Sequence, residues 1–264
     1  MRLFVKTWVN DFAWLKQAML SVQKLSLEEV HWFICVDDGT KSQFKDVLVQ
    51  VEQERGEKSV PLNGSVVETS ELWPEANKIQ NGYLRQQWIK MNSHKLAGDD
   101  LFWIWDSDLI AMRPFSSRDF KDTGGKPIYW FTQFNSILGG GDDAAHLGRI
   151  QMIKEIYGIN EVPFEWMRCI PIPQMGGILR HASGTSYWRK AFEMLVKGDE
   201  RFSEFNVIGQ FAHQYFPDAF DWRNTHNFPG KTFSGPMGDK NFIVSQGFSW
   251  GGLGQNVVDY VKSL

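Results

Sequence analysis

Asp99-Asp100-Leu101-Phe102-Trp103-Ile104-Trp105-Asp106-Ser107-Asp108 is the stretch on which the fold of this chain turns. The apolar run at its centre falls far short of the roughly 18 residues of a membrane span and has the length of a strand. It shows no apolar–polar alternation, so both faces of that strand are expected to be covered, as in the middle of a helix-flanked sheet. Asp106 and Asp108 close the run, and residues i and i+2 of an extended chain project to the same side. Two like charges 4 Å apart cost on the order of 4 kcal/mol at an effective dielectric of about 20. A hard divalent cation relieves that cost and keeps positions open for phosphate oxygens. Ligands of open α/β sheets bind beyond the carboxyl ends of the strands, where this pair would lie. A solvated turn holding two aspartates is the competing explanation, and for so common a pair taken by itself it is the favoured one.

Outward from this stretch the chain alternates between strand and helix patterns. Leu3–Val9 predicts a strand and 12–25 an amphipathic helix, with Leu15, Ala18, Met19, Val22 and Leu25 on one face. His31–Val36 predicts a second strand, closed by the turn residues Asp37-Asp38-Gly39. Residues 41–60 permit a helix, Ser65–Thr69 a short strand and 79–96 another helix. The second half predicts a strand at 128–134 and helices near 144–157, 185–197 and 203–216, with glycine-rich turns between them. Gly139–Asp143 and Gly247–Gly254 are flexible enough for lids. The alternation implies an α/β fold with a mainly parallel sheet flanked by helices.

With 264 residues, the chain suits one large domain. Its 28 Lys+Arg against 31 Asp+Glu, a net charge of -3, give no global reason to bind nucleic acid or anionic lipid. Charge is nonetheless uneven, because 77–98 carries Lys78, Arg85, Lys90 and Lys95 and no acid. Two cysteines, Cys35 and Cys169, cannot form a disulfide framework, and Cys35 reads as a small core residue. Lys6 and Asp11 interrupt any signal-peptide core, so a cytoplasmic location is expected, in the host if the chain is phage-encoded.

The string Asp106-Ser107-Asp108-Leu-Ile-Ala-Met-Arg113-Pro114-Phe115 resembles the Asp-x-Asp strand and tail of GT-A glycosyltransferases. Val5-Lys6-Thr7-Trp8 with Asp11 and Trp14-Leu15 is similar to the opening strand and helix of small bacterial and viral members. Gly82-Tyr83-Leu84-Arg85-Gln86-Gln87-Trp88-Ile89-Lys90-Met91 resembles their G-(Y/W)-x-x-Q-Q-x-x-K helix. Met175-Gly176-Gly177-Ile178 and Phe202-Ser203-Glu204-Phe205-Asn206-Val207-Ile208-Gly209 look like their GG turn and S-E-(Y/F)-x-x-x-G helix. The resemblance implies a GT-A (Rossmann-like) fold over 1–264, with a nucleotide-sugar-binding half over 1–115 and an acceptor-binding half over 116–264. It implies a nucleoside-diphosphate-sugar donor, such as a UDP-sugar, and a divalent metal, Mn²⁺ or Mg²⁺. Asp106 and Asp108 would hold the metal, with His226 as the third ligand.

Thr7, Asp11 and Asp37 would form the base pocket, although Asp37 also suits an ordinary turn. Arg85, Gln86 and Lys90 would share one helix face and meet the pyrophosphate. Gly176 and Gly177 would let the backbone approach the donor sugar. Glu204 would contact the acceptor or assist transfer, acting as general base if the reaction inverts. Trp130, Trp166 and Trp250 are candidates for stacking on the acceptor, while Trp103 and Trp105 are assigned to the core. His213 is assigned a structural role, while His181, after the GG turn, is within reach of the site but is not taken as a ligand. The expected acceptor is a bacterial or phage surface glycan, and the alternative is a hydroxymethylated pyrimidine in phage DNA. A non-catalytic nucleotide- or carbohydrate-binding protein and a phosphate-ester hydrolase are the rivals from other classes.

Overall fold

Alternating strand and helix patterns in the first hundred residues produce a sheet whose strands run in the same direction. The computed structural model describes residues 1–56, 60–166, 170–228, 232–247 and 252–264. In chain order the first half contains β1 (Arg2–Lys6), α1 (Phe12–Leu25), β2 (His31–Val36), α2 (Lys41–Glu54), β3 (Asn63–Glu68), α3 (Thr69–Leu72), α4 (Gly82–Met91), α5 (His94–Ala97), β4 (Leu101–Ile104) and β5 (Leu109–Ala111). The second half adds β6 (Ile128–Gln133), α6 (Asp143–Tyr157), β7 (Phe164–Glu165), β8 (Ile172–Met175), α7 (Gly176–Ser183), α8 (Ser186–Val196), α9 (Glu204–Tyr215), β9 (Asp221–Asn224), β10 (Val244–Gln246) and α10 (Gln255–Ser263).

The central sheet has the order β3-β2-β1-β4-β8. Its first three pairings are parallel and only β4–β8 is antiparallel. Leu3 lies opposite Trp32 on one side and Trp103 on the other. Phe102, Trp103, Ile104 and Trp105 are all buried, as expected of a strand covered on both faces. Helix α1 buries Leu15, Ala18, Met19 and Val22, and packs on α2, β5 and α10. Two smaller sheets, β10-β5 and β7-β6-β9, extend the second half.

Three local departures from the sequence pattern matter for the site. Strand β1 ends at Lys6 rather than Val9, because Trp8 to Asp11 turn into a single 3₁₀ turn. The helix expected over 79–96 is two: the Asn81 carboxamide oxygen accepts from the Tyr83 and Leu84 N–H groups and starts α4 at Gly82. It stops at Asn92, whose side-chain amide donates back to the Trp88 carbonyl. Gly176-Gly177, expected as a turn, instead opens helix α7.

Trp130 and Trp166 are buried, not exposed for an acceptor. Trp166 sits among Tyr129, Phe131, Phe164, Trp222 and His213, where ring packing accounts for it. His181 packs on Phe211 and Phe216, and burial lowers the pKa of His213. Cys35 is buried, and desolvation pushes its thiol up to about 11. Trp250, Cys169 and part of Gly247–Gly254 lie outside the described residues. No helix among the described residues is long and apolar enough to cross a membrane.

Candidate active site

The carboxyl ends of β1, β2 and β4 open into one cleft of about 920 Å³. Lys6 at the end of β1, Asp37 after β2 and Asp106, Ser107 and Asp108 after β4 reach it, as the parallel order of these strands requires. The second half of the chain contributes Glu204, Phe205, Gln246 and Gly252.

The acidic pair does not sit on extended chain. Strand β4 ends at Ile104, and the Leu109 N–H donates to the Asp106 carbonyl at 3.1 Å, closing a turn. Both carboxylates still line the cleft, Asp108 nearly buried and Asp106 with its side chain 20% exposed. Ser107 donates its hydroxyl to the Asp11 carboxylate at 3.1 Å, which joins the turn after β1 to the turn after β4.

Lys90 is the electrostatic centre of the cleft. Its ammonium lies 2.8 Å from Asp106 Oδ1 and 3.3 Å from Glu204 Oε1. Burial opposes its charge, but the Asp106 and Glu204 carboxylates outweigh burial and hold its pKa above the ordinary lysine value. Burial drives the Glu204 carboxyl upward; Lys90 pulls it down and Asp106 pushes it up, leaving a net rise. The shorter of the two contacts goes to Asp106, so the ammonium belongs first to that carboxylate. On the far side of the cleft Lys6, its side chain fully buried, pairs with Asp37 at 2.5 Å.

Helix α4 presents Tyr83, Gln86, Gln87 and Lys90 to the cleft, at spacings i, i+3, i+4 and i+7. Arg85 is not on this face. It lies five residues before Lys90, about 140° away around a helix of 100° per residue. Its guanidinium donates instead to the Ile79 carbonyl at 3.1 Å. Gln87 was not among the expected residues, yet it is buried and its carboxamide oxygen accepts the Glu204 N–H at 3.0 Å, capping α9 from another helix. Among the described residues, Trp8, 41% exposed, is the tryptophan that lines the cleft. The polar i, i+3, i+4, i+7 pattern of α4 was the signal for Tyr83 and Gln87, and Trp8 stood in the opening Val5-Lys6-Thr7-Trp8 motif without being singled out.

Of the expected residues, the cleft therefore brings together Asp11, Asp37, Gln86, Lys90, Asp106, Asp108 and Glu204. Thr7 is fully buried behind it, its N–H bound to the Cys35 carbonyl at 3.0 Å. Gly176 and Gly177 lie beyond Leu101, at the opposite end of β4, because β8 runs antiparallel with Met175 opposite Leu101. Their N–H groups donate to the Asp100 and Asp99 carbonyls, and a Cβ on Gly176 would fall 1.7 Å from the Gly98 carbonyl oxygen. Close backbone packing, rather than a sugar, explains that glycine.

His226 is exposed in the 3₁₀ turn after β9 and is not part of the cleft lining. Among the described residues there is no group of three metal-ligating side chains. Asp106 and Asp108 together still supply hard oxygen donors on one short turn, the set that Mg²⁺ or Mn²⁺ takes when phosphate oxygens and water complete its shell.

The fold has counterparts among solved structures. Galactosyltransferase LgtC, in complex with donor and acceptor sugar analogues, superposes with a TM-score of 0.54 at 11% identity over 100% of this chain and 96% of that one. The chain has the GT-A glycosyltransferase fold. An active-site variant of LgtC gives a TM-score of 0.56 at 12% identity over the same shares. The glycosyltransferase GlyE of Streptococcus pneumoniae gives 0.50 at 11% identity, over 98% of this chain and 59% of that one. No protein-family model matches the chain, and no curated protein matches it in sequence.

Proposed function

We propose that this protein is a metal-dependent glycosyltransferase that moves a sugar from a nucleoside-diphosphate sugar to a hydroxyl of a glycan. The observation that carries the reading is the charge of the cleft. Among the described residues, Asp11, Asp37, Asp106, Asp108 and Glu204 face it against Lys6 and Lys90, a formal excess of three negative charges. A diphosphate entering such a cleft is repelled unless a divalent cation comes with it. Bound at Asp106 and Asp108, Mn²⁺ or Mg²⁺ would neutralise the charge that develops on the leaving diphosphate.

The remaining roles belong to the side chains of this chain. The exposed face of Trp8 suits stacking on a nucleobase, and Asp37, held by Lys6, suits a hydrogen bond to base or ribose. The Lys90 ammonium is placed to meet a phosphate oxygen beside Asp106. If the reaction inverts, Glu204, buried and with its pKa raised, would take the proton of the acceptor hydroxyl. In that step the acceptor oxygen bonds to the anomeric carbon, the bond to the diphosphate breaks, and the proton passes to the Glu204 carboxylate.

A sugar hydroxyl is favoured as acceptor because LgtC holds an acceptor sugar analogue. A DNA acceptor is disfavoured, since among the described residues the cleft lining carries more carboxylates than cations. The test is thermal unfolding with each nucleoside diphosphate, with and without Mn²⁺, on wild type and Asp108→Ala. Ligand at a hundred times its Kd adds about 2.7 kcal/mol of stability. The expected result is a metal-dependent rise with one diphosphate that is lost in the variant. An identical rise in Asp108→Ala sinks the role given to that aspartate, and no rise with any nucleotide returns the binding-module and hydrolase readings.

A further inference from the structure

Lys90 occupies the oxygen that a metal would want. Its ammonium is 2.8 Å from Asp106 Oδ1, and only 11% of its side chain is exposed, so the contact is held inside the protein rather than across water. A second carboxylate, Glu204, stands 3.3 Å away on the other side of the same ammonium. The backbone on both flanks is fixed. Glu204 begins α9 with its N–H bound to Gln87, and Gln87 and Lys90 lie on the same face of α4. A divalent ion arriving alone would have to share Asp106 with a cation already neutralising it, and the like charges would repel. A diphosphate changes the balance, because its oxygens can accept from the ammonium while also binding the ion.

We infer that Lys90 is a gate on the metal site. It keeps divalent cations weakly bound in the free protein and makes their binding depend on a diphosphate, so that metal and donor enter as a pair. This rests on the proposed transferase reading and deepens it by assigning an order of binding. Reciprocity follows, since whatever factor the diphosphate adds to metal affinity, the metal must add to diphosphate affinity. Lys90 here is a residue that times ligand binding, separate from any part it has in the transfer step.

The test is Mn²⁺ binding to the full chain, followed by the electron paramagnetic resonance signal of free Mn²⁺ with a protein blank subtracted. It is run with and without pyrophosphate, and the known Mn²⁺–pyrophosphate equilibrium is included in the fit. Wild type is expected to bind Mn²⁺ weakly alone and roughly tenfold or more tighter with pyrophosphate, within the usual 5- to 150-fold range of such couplings. Lys90→Met is expected to bind Mn²⁺ alone roughly tenfold tighter than wild type and to gain little from pyrophosphate. Lys90→Arg, which keeps the charge, should stay weak without pyrophosphate. If Lys90→Met does not fold, the wild-type comparison and Lys90→Arg still decide the matter. Wild-type binding that is equally tight with and without pyrophosphate overturns the gate alone. So does a Lys90→Met that binds Mn²⁺ no better than wild type. No Mn²⁺ binding in any variant, even with pyrophosphate, overturns the gate and the metal dependence of the parent reading together.

Discussion

Replacing Lys90 with Met removes the single positive charge between Asp106 and Glu204 while keeping most of the side-chain volume. At the observed separations of 2.8 and 3.3 Å, Coulomb's law at an effective dielectric of about 20 gives attractions of about 6 and 5 kcal/mol. Desolvation of the ammonium and both carboxylates offsets most of this, so the measurable loss should match the usual cost of breaking a buried pair, about 3–5 kcal/mol. The assay is urea unfolding at neutral pH, with Glu204→Gln and the double variant completing a cycle. Glu204→Gln should cost much less in the Lys90→Met background than in wild type, because it removes one of two carboxylates left without a counter-charge. A coupling energy of at least about 1 kcal/mol is expected between two residues in direct contact. A Lys90→Met loss below about 1 kcal/mol, or a Glu204→Gln effect equal in both backgrounds, would refute the placement of this ammonium as the electrostatic centre of the cleft.

Trp8→Ala should leave stability within about 0.5 kcal/mol, because the ring is 41% exposed, yet weaken nucleoside diphosphates relative to pyrophosphate by about 1–3 kcal/mol, measured by calorimetry. Gly176→Ala should destabilise by at least about 2 kcal/mol in thermal unfolding, since the added Cβ would meet the Gly98 carbonyl oxygen at 1.7 Å and backbone must move. The cleft is at the other end of β4, so ligand-induced stabilisation should survive in that variant. His94 is buried, and burial, with Arg180 and Lys95 nearby, lowers its pKa from 6.5 to about 4. Between pH 6.5 and 4 the unfolded chain therefore takes up a proton that the folded chain refuses. Stability falls as pH drops through that window, by up to about 3 kcal/mol, and is unaffected above it. Urea unfolding at pH 7 and pH 4.5 should show a smaller acid-side loss in His94→Gln than in wild type.

The parts of this fold that were legible from sequence are those with a strong local pattern. His31–Val36 is recovered with the same ends, α1 from Phe12 to Leu25 follows its apolar stripe, and Phe102–Trp105 is buried throughout. What escaped notice depends on contacts distant in sequence. Strands β5 and β10 exist because Ile110 and Ser245 pair across more than a hundred residues, and β8 because it closes the free edge of β4. In the cleft, Asp106, Asp108 and Glu204 were legible through motif and position. The place of Gln87 on the cleft face of α4 was legible in its spacing, but its role was not, because it caps a helix 117 residues away. Arg85 and the glycine pair were misplaced for geometric reasons, the first by five-residue spacing on a helix and the second by an antiparallel strand pointing away from the cleft.

The Gln87–Glu204 and Lys90–Glu204 contacts also have a mechanical meaning. Helix α4 belongs to the first half of the chain and α9 to the second, and the start of α9 is tied to α4 by one hydrogen bond and one ion pair. Any motion that draws these helices apart must stretch the same two contacts that orient the buried carboxylate. Opening of the cleft and the alignment of Glu204 are therefore a single coordinate, and a chain that breathes widely at this seam disarms itself as it does so.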